Sequence, residues 1–166
     1  LEDIILCAPK IFIKSPLNAT LQCIASDSLM VSDSSCLRYP SALVLAHPND
    51  SASTQTQAAL RLGSACRLEG VLICNTRHDA RRKTAVVKLS QGSEIIGQVY
   101  CNTYLQTKAS VYGSSYIRNF FLKTPSSIYE NHLLNARFDK MALNHDFIGL
   151  DLFSDRSVKH IIKCLD

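Results

Sequence analysis

Apolar and polar residues alternate along this chain, and in two stretches the alternation follows one copied pattern. The stretches are 62–76 (LGSACRLEGVLICNT) and 89–103 (LSQGSEIIGQVYCNT), which lie 27 residues apart. A third, shorter copy, SVYGSSYIRN at 110–119, lies 16 residues after the matching part of the second. A period of two residues is that of a β-strand with one buried face. Such repetition predicts a solenoid, because each repeat leaves an apolar face that only the next repeat can cover.

The copies predict which residues lie over one another. Leu72 corresponds to Val99 and Cys74 to Cys101, so each pair is expected to stack on the inner side of adjacent repeats. Glycine recurs at one place in the pattern, as Gly70, Gly97 and Gly113. These glycines do not cluster as a phosphate-binding GxGxxG motif does, so we interpret them as tight corners or close backbone approaches.

The pattern begins before the clear copies. Between Ile4 and Leu45, short apolar pairs alternate with Ser, Asn, Asp or Pro, which predicts short strands separated by turns. The segment 39–45 (YPSALVL) overlays 68–74 (LEGVLIC), with Tyr39 placed on Leu68. Two polar stretches, 46–58 and 77–83, interrupt the pattern, and we expect both to be surface loops outside the stack.

The last part of the chain departs from the repeat. The match between copies fades after Asn119, so we expect irregular repeats there. Apolar residues then recur at helical spacing, as Val158, Ile161, Ile162 and Leu165. This spacing predicts a short amphipathic helix over 156–166 that covers the end of the stack. The predicted fold is an all-β single domain over residues 1–166, a parallel β-helix with this C-terminal capping helix.

Composition and charge narrow the range of partners. Hydrophobic residues make up 46% of the 166 residues, but Trp is absent and aromatics are 7%, which suits stacked layers of small and β-branched side chains. The net charge is +4, of which four basic residues in 77–83, less Asp79, supply +3. The remaining surface is nearly neutral, so we predict no nucleic-acid partner.

The seven cysteines do not form a metal motif, because their spacing includes no CxxC pair or Cys/His cluster. Cys74 and Cys101 occupy the same place in two copies, and we interpret them as small apolar side chains in one stack. A disulfide between them is the alternative, since adjacent strands lie close enough, but it requires an oxidising compartment.

Two classes of enzyme could use a stack of this kind. Acyltransferases of the left-handed hexapeptide type use a His as general base, and this chain has five histidines: His47, His78, His132, His145 and His160. The strict hexapeptide rhythm of those enzymes is absent. Polysaccharide lyases and hydrolases set several carboxylates in a groove, and the candidates here are Glu130, Asp139, Asp146, Asp151 and Asp155. Their spacing does not follow the repeats, so we predict no catalytic, cofactor-binding or metal-binding residue.

The start of the chain and two sequons bear on its location. The chain begins LEDIILCAPK, without an initiator Met, a charged n-region or an apolar run that could span a bilayer. We expect a processed form or a fragment. The sequence leaves the compartment open, and an anchor in a bacterial cell envelope through a missing N-terminal segment is favoured over the cytoplasm. Asn18 and Asn49 match the N-x-S/T acceptor rule, and we interpret both as chance matches.

The segments SEIIGQV and ASVYGSS resemble the bactofilins, polymer-forming proteins of the bacterial cytoskeleton, over about residues 60–120. This resemblance implies a right-handed β-helix without cofactor or catalytic site that joins end to end into scaffolds at the membrane. The segment FFLKTPSSIYENHLLNARFD also resembles uncharacterised, membrane-anchored envelope proteins of the Bacteroidetes type, which implies no function.

The sequence therefore predicts a non-catalytic scaffold or interaction module that works through protein partners or self-association. The alternative is a carbohydrate-active enzyme or glycan binder that uses a groove on one face of the β-helix. A cleft lined by several carboxylates would favour the enzyme, and a flat surface rich in Ser, Thr and Asn would favour the scaffold.

Overall fold

The computed structural model describes residues 2–46, 59–76, 86–141, 143 and 147–150. These residues form strands joined by turns, and no helix occurs among them. The strands are β1 (Ile4–Ile13), β2 (Asn18–Ala19), β3 (Leu21–Val31), β4 (Cys36–Ala46), β5 (Ala59–Leu62), β6 (Arg67–Asn75), β7 (Val87–Leu89), β8 (Glu94–Thr107), β9 (Ser110–Lys123), β10 (Ile128–Glu130) and β11 (Arg137–Asp139). The fold is thus all-β, as the alternation predicts.

Parallel pairing connects each repeat to the next. The strand order is β1-β3-β5-β7-β8-β6-β4-β2, and an additional pairing of β3 with β4 closes six strands into a barrel-like ring. β9 continues the sheet beyond β8, and β10 and β11 both pair with β9. Only β10 is antiparallel among these described pairings.

The repeats stack in the predicted register. Leu72 of β6 is the partner of Val99 of β8, and Cys74 is the partner of Cys101. One column of inward side chains comprises Cys23, Leu43, Leu72, Val99 and Ser115. A second comprises Ala25, Leu45, Cys74, Cys101 and Ile117. A third comprises Ile11, Leu29, Leu60, Val87, Leu105 and Phe120. The core is therefore a set of layers, and each fully buried Leu in it contributes roughly 1.5–3 kcal/mol.

One predicted overlay is wrong by two residues. Leu37, and not Tyr39, is the partner of Leu68, whereas Ser41 is the partner of Gly70 as predicted. Three residues lie between the matched positions in β4 and one in β6, so the register shifts here. Pro40 has no N–H to donate to a ladder, and it lies in this bulge, as Pro within a sheet usually must.

The repeated glycines mark a corner where adjacent backbones touch. Gly70, Gly97 and Gly113 have φ near +145°, a region that residues with a side chain rarely adopt. A Cβ on Gly97 would overlap the carbonyl oxygen of Gly70, and a Cβ on Gly113 would overlap that of Gly97. The structural interpretation of these glycines is confirmed.

The repeated CNT triplet forms a second corner. Asn102 Nδ2 donates to Asn75 Oδ1 at 2.7 Å, and Asn102 Oδ1 accepts the Thr76 N–H at 3.0 Å. The Asn102 side chain thus accepts a hydrogen bond from the backbone N–H of Thr76, just after the end of β6. Asn side chains commonly bind backbone groups in this way at turns. This explains why Asn follows the buried Cys in both copies.

Some predictions fall outside the described residues. They are the capping helix at 156–166, the loop at 77–83 and most of the loop at 46–58. A short segment, 147–150, does lie on the outer surface near β8. Leu150 N donates to Gln98 Oε1 at 2.8 Å, and the Phe147 ring lies 5.6 Å from that of Tyr39.

Candidate functional site

The stack ends at β9 in an open cavity of about 480 Å³. Its floor consists of side chains that point inward from β9, and its walls come from the chain that follows. The lining residues are Gly113, Ser115, Ile117, Phe120, Leu133, Phe138, Asp139 and Lys140. A cavity of this size with mostly apolar walls and a few polar groups is typical of a binding site.

Two short strands cover the ends of β9 and leave its middle open. β11 is parallel to β9 and places Phe138 over Val111. β10 is antiparallel and pairs Ile128 with Lys123. Between them, Gly113 to Ser115 pair with β8 on one side and with no described strand on the other. The cavity therefore lies over the part of β9 that no described strand covers.

Aromatic side chains bridge the cavity. The ring of Phe120, which belongs to the third core column, lies 6.0 Å from the ring of Phe138 in an edge-to-face arrangement. Such pairs contribute about 0.5–1.5 kcal/mol beyond their buried area. Phe138 is still 39% exposed. The cap that β10 and β11 form over β9 therefore covers the core only in part.

One hydroxyl in the floor has no hydrogen-bond partner. Ser115 Oγ is buried and is unpaired, although it follows Val99 in the first core column. A buried hydroxyl without a partner costs roughly 1–3 kcal/mol. A molecule that fills the cavity and offers a polar atom above Ser115 would remove that cost.

The charges at the rim are partly neutralised. Asp139 accepts a bond of 2.9 Å from Arg137 Nη2 and another of 3.1 Å from the backbone N–H of Met141. The Arg137 guanidinium also lies 5.7 Å from the centre of the Tyr112 ring. Lys140 forms no ion pair with any residue that the structure describes.

The cap around the cavity exposes large apolar side chains. They are Ile128, Tyr129, Leu133, Leu134, Phe138 and Met141, the last of which is 92% exposed. Single exposed apolar residues are ordinary, but here a group of them lies beside an apolar cavity.

The structure describes only some of the histidines and carboxylates that the sequence raised as candidates. His132 is exposed, and its Nδ1 lies 2.7 Å from the carbonyl oxygen of Glu130, near the Tyr129 ring. Of the candidate carboxylates, Asp139 alone lines the cavity, and Glu130 lies on β10. The others are outside the described residues, namely His47, His78, His145, His160, Asp146, Asp151 and Asp155. The described candidates are therefore not assembled into a carboxylate-lined cleft.

The described cysteines are free. Cys23, Cys66, Cys74 and Cys101 are buried, and Cys7 is exposed. Burial raises the pKa of Cys23 from 9.0 to about 11. A hydrogen bond with Cys101, together with burial, raises the pKa of Cys74. The same hydrogen bond lowers the pKa of Cys101. Both side chains are buried in one core column, as the sequence predicts for Cys74 and Cys101.

A basic row lies on the outer surface. Arg61 of β5 is the partner of Lys88 of β7. Lys123 lies close enough for its charge to act on the Lys88 ammonium group. Burial, and then the charges of Arg61 and Lys123, lower the pKa of Lys88. None of the three forms an ion pair with another described residue.

The described residues hold neither a metal-binding cluster nor a membrane-spanning helix. No group of three or more His, Cys, Asp or Glu side chains within the described ranges could hold a metal ion. Among the described elements, none is a helix of the length and apolar character needed to cross a membrane. Asn18 is exposed on β2, and Asn49 is outside the described residues.

Sequence reasoning missed the cavity. The predicted cover of the C-terminal end, 156–166, lies outside the described residues, and the pairing of β10 and β11 with β9 was not predicted. A signal was present in Ser115, a polar residue in a column that is apolar in the earlier repeats. Such a change indicates the last layer of a stack, where the demand for an apolar side chain ends.

Comparison with known proteins adds no further assignment. The chain matches no protein-family model, no curated protein and no solved structure.

Proposed function

We propose that this chain is a non-catalytic interaction scaffold built as a parallel β-helix. The observation that supports it best is the register. Each of the three inward columns advances by one strand per repeat, with small shifts only at bulges. Such a stack is rigid and can present its ends and loops to protein partners. The similarity to bactofilin repeats fits this role.

The cavity chemistry favours binding over catalysis. Its lining contains one carboxylate, Asp139, which is already bound by Arg137. A glycosidase of the usual type needs two carboxylates on opposite sides of the substrate. The exposed apolar cap instead favours a protein partner.

Removal of one whole repeat tests the β-helix. Arg67 is the partner of Glu94, so deletion of 67–93 joins Cys66 to Glu94 without any change of register. A β-helix should then fold as a shorter rod, with β8 stacked directly on β4. A ring that must contain all six strands would fail to close. Circular dichroism and thermal melting decide between these outcomes.

Deletion of 67–92 is the matched control. It removes one residue fewer and turns every following inward side chain outward. We expect this variant to be unfolded, whereas the 67–93 deletion keeps a cooperative transition. If both variants unfold, the β-helix proposal fails.

A second candidate function is the binding of an acidic glycan, which the basic row Arg61, Lys88 and Lys123 favours. Cations without acidic partners attract a polyanion in a salt-dependent manner. Titration with polygalacturonate at low salt tests this candidate. Binding by the parent chain that Lys88→Gln weakens would support it, and equal binding by the two would exclude it.

A further inference from the structure

The middle of β9 presents backbone groups to the open edge. At one end of the gap, the Ala109 carbonyl accepts from Arg137 N–H, and at the other Asn131 N–H donates to the Phe120 carbonyl. Hydrogen-bonding direction alternates along a parallel strand, so the amide of Ser115 faces the same edge as that of Ala109. This edge can therefore continue the ladder by another strand.

The inner side of the gap selects the side chains of such a strand. Gly113 belongs to the corner where adjacent backbones touch, Ile117 is apolar, and Ser115 lies between them with an unpaired hydroxyl. Phe120 and Leu133 form apolar walls. An added strand in the register of the repeat would place Gly over Gly113 and bury aliphatic side chains over Ser115 and Ile117.

A second copy of the chain is a poor source of this strand. The edge at the opposite end belongs to β1, which pairs only with β3 among the described strands. Pro9 interrupts β1, and the register shifts between Ala8 and Lys10. Pro and bulges on an edge strand prevent pairing with another edge. The two ends are therefore unlike, and of these two described edges only that of β9 has a stretch, Gly113 to Ile117, without Pro or a register shift.

We infer that the gap in β9 is a strand-addition site for an extended segment of a partner protein. The segment runs parallel to β9, pairs with the edge from Gly113 to Ile117 and places alternate aliphatic side chains in the cavity. Main-chain hydrogen bonds supply affinity in this mode of recognition, and alternate pockets supply specificity. This inference rests on the interaction role proposed above, and it specifies the partner as an extended peptide segment.

A peptide with the repeat pattern is the probe. We choose fluorescein-labelled EIIGQVYVN, which is the sequence of 94–102 with Cys101→Val, because β8 already pairs with β9 on the other side in this register. The peptide then places Gly over Gly113 and Val over both Ser115 and Ile117. The control peptide has the same composition in an order without alternation. Fluorescence anisotropy with the full chain under reducing conditions should show saturable binding of the first peptide only.

Two substitutions at one position test the backbone contact. Ser115→Pro removes the N–H that faces the open edge, whereas Ser115→Val keeps it and removes the unpaired hydroxyl. We expect Ser115→Pro to weaken binding roughly tenfold, and Ser115→Val to bind at least as well as the parent. Thermal melting verifies that each variant is folded.

A substitution at Leu133, in the wall of the cavity, tests the inference even if Ser115→Pro does not fold. Leu133 is 43% exposed, so Leu133→Asp should fold, and we expect it to weaken binding of the peptide at least fivefold, because a carboxylate enters the apolar cavity. If Ser115→Pro is unfolded, the affinity of Leu133→Asp for the peptide is the test of the inference.

The inference is overturned if the folded parent binds both peptides alike, or if folded Ser115→Pro binds as tightly as Ser115→Val. It is also overturned if light scattering shows a dimer that the peptide does not dissociate, because a second copy then occupies the edge. Each of these results leaves the β-helix untouched, since that proposal depends on the 67–93 deletion alone.

Discussion

Cys74 of β6 and Cys101 of β8 are direct partners in adjacent parallel strands, and both thiols are buried and free. They are 27 residues apart in the chain, which is the separation of the two clear copies of the repeat. Neither side chain is more than 1% exposed, so a reagent in solution reaches neither sulfur in the folded protein.

Thiol modification should therefore follow position in the stack. In a brief pulse of iodoacetamide on the native protein, exposed Cys7 should react first, and Cys74 and Cys101 roughly tenfold or more slowly. Mass spectrometry of the digested protein measures each site. Equal rates at Cys7 and Cys74 would contradict their placement, and modification in denaturant, where all sites react, is the control.

Alkaline pH should destabilise the fold through Cys23. Burial raises the pKa of its thiol from 9.0 to about 11, so between these values the unfolded chain releases a proton that the folded chain retains. The native state then binds more protons, and the free energy of unfolding falls as pH rises from 9 to 11. Below pH 9 this contribution to stability is fully present.

Guanidinium unfolding at pH 8 and 10.5 in reductant measures the loss of stability. Cys23→Val should reduce it, because the titrating group is gone, whereas Cys7→Val at an exposed site should leave it as in the parent. The other buried thiols keep part of the effect. An identical loss in the parent and Cys23→Val would contradict the assignment.

An acidic residue inside a layer should be costly. Val99 is fully buried between Leu72 and Ser115, so Val99→Asp places a carboxylate without a partner in the core. We expect a loss of about 3 kcal/mol or more, which lowers Tm by at least about 6 °C. Gln106→Asp on the outer side of the same strand, beside Lys88, is the control and should change Tm little. If the two variants melted at similar temperatures, the assignment of inner and outer sides in β8 would be wrong.

The glycine corner should reject any side chain. Gly97→Ala forces φ near +145° on Ala and brings its Cβ against the Gly70 carbonyl, so we expect a loss of about 3 kcal/mol or more. Gly92→Ala is the control. Its φ is +74°, and the nearest atom to a Cβ is Ala65 N at 3.8 Å, so the cost should be only about 1 kcal/mol. Chemical denaturation compares them, and an equal cost would mean that the corner is not a close approach.

The alternation in the sequence determined which side of each strand faces the core. A side chain two residues along a strand must lie on the same face, so the copies at 62–76 and 89–103 were sufficient to predict Leu72 over Val99 and Cys74 over Cys101. The corner glycines followed from the same repeat. These features depend on neighbours in the chain and on one period, which a sequence displays directly.

Tertiary structure alone decided the register at Pro40, the closure of the six-strand ring and the open edge of β9. Two extra residues in β4 can be absorbed as a bulge at any of several places, and only packing against β6 selects one. The gap along β9 exists because β10 and β11 pair with its ends and not with its middle. Which segment covers the last layer of a stack depends on contacts between distant residues, and no local pattern specifies them.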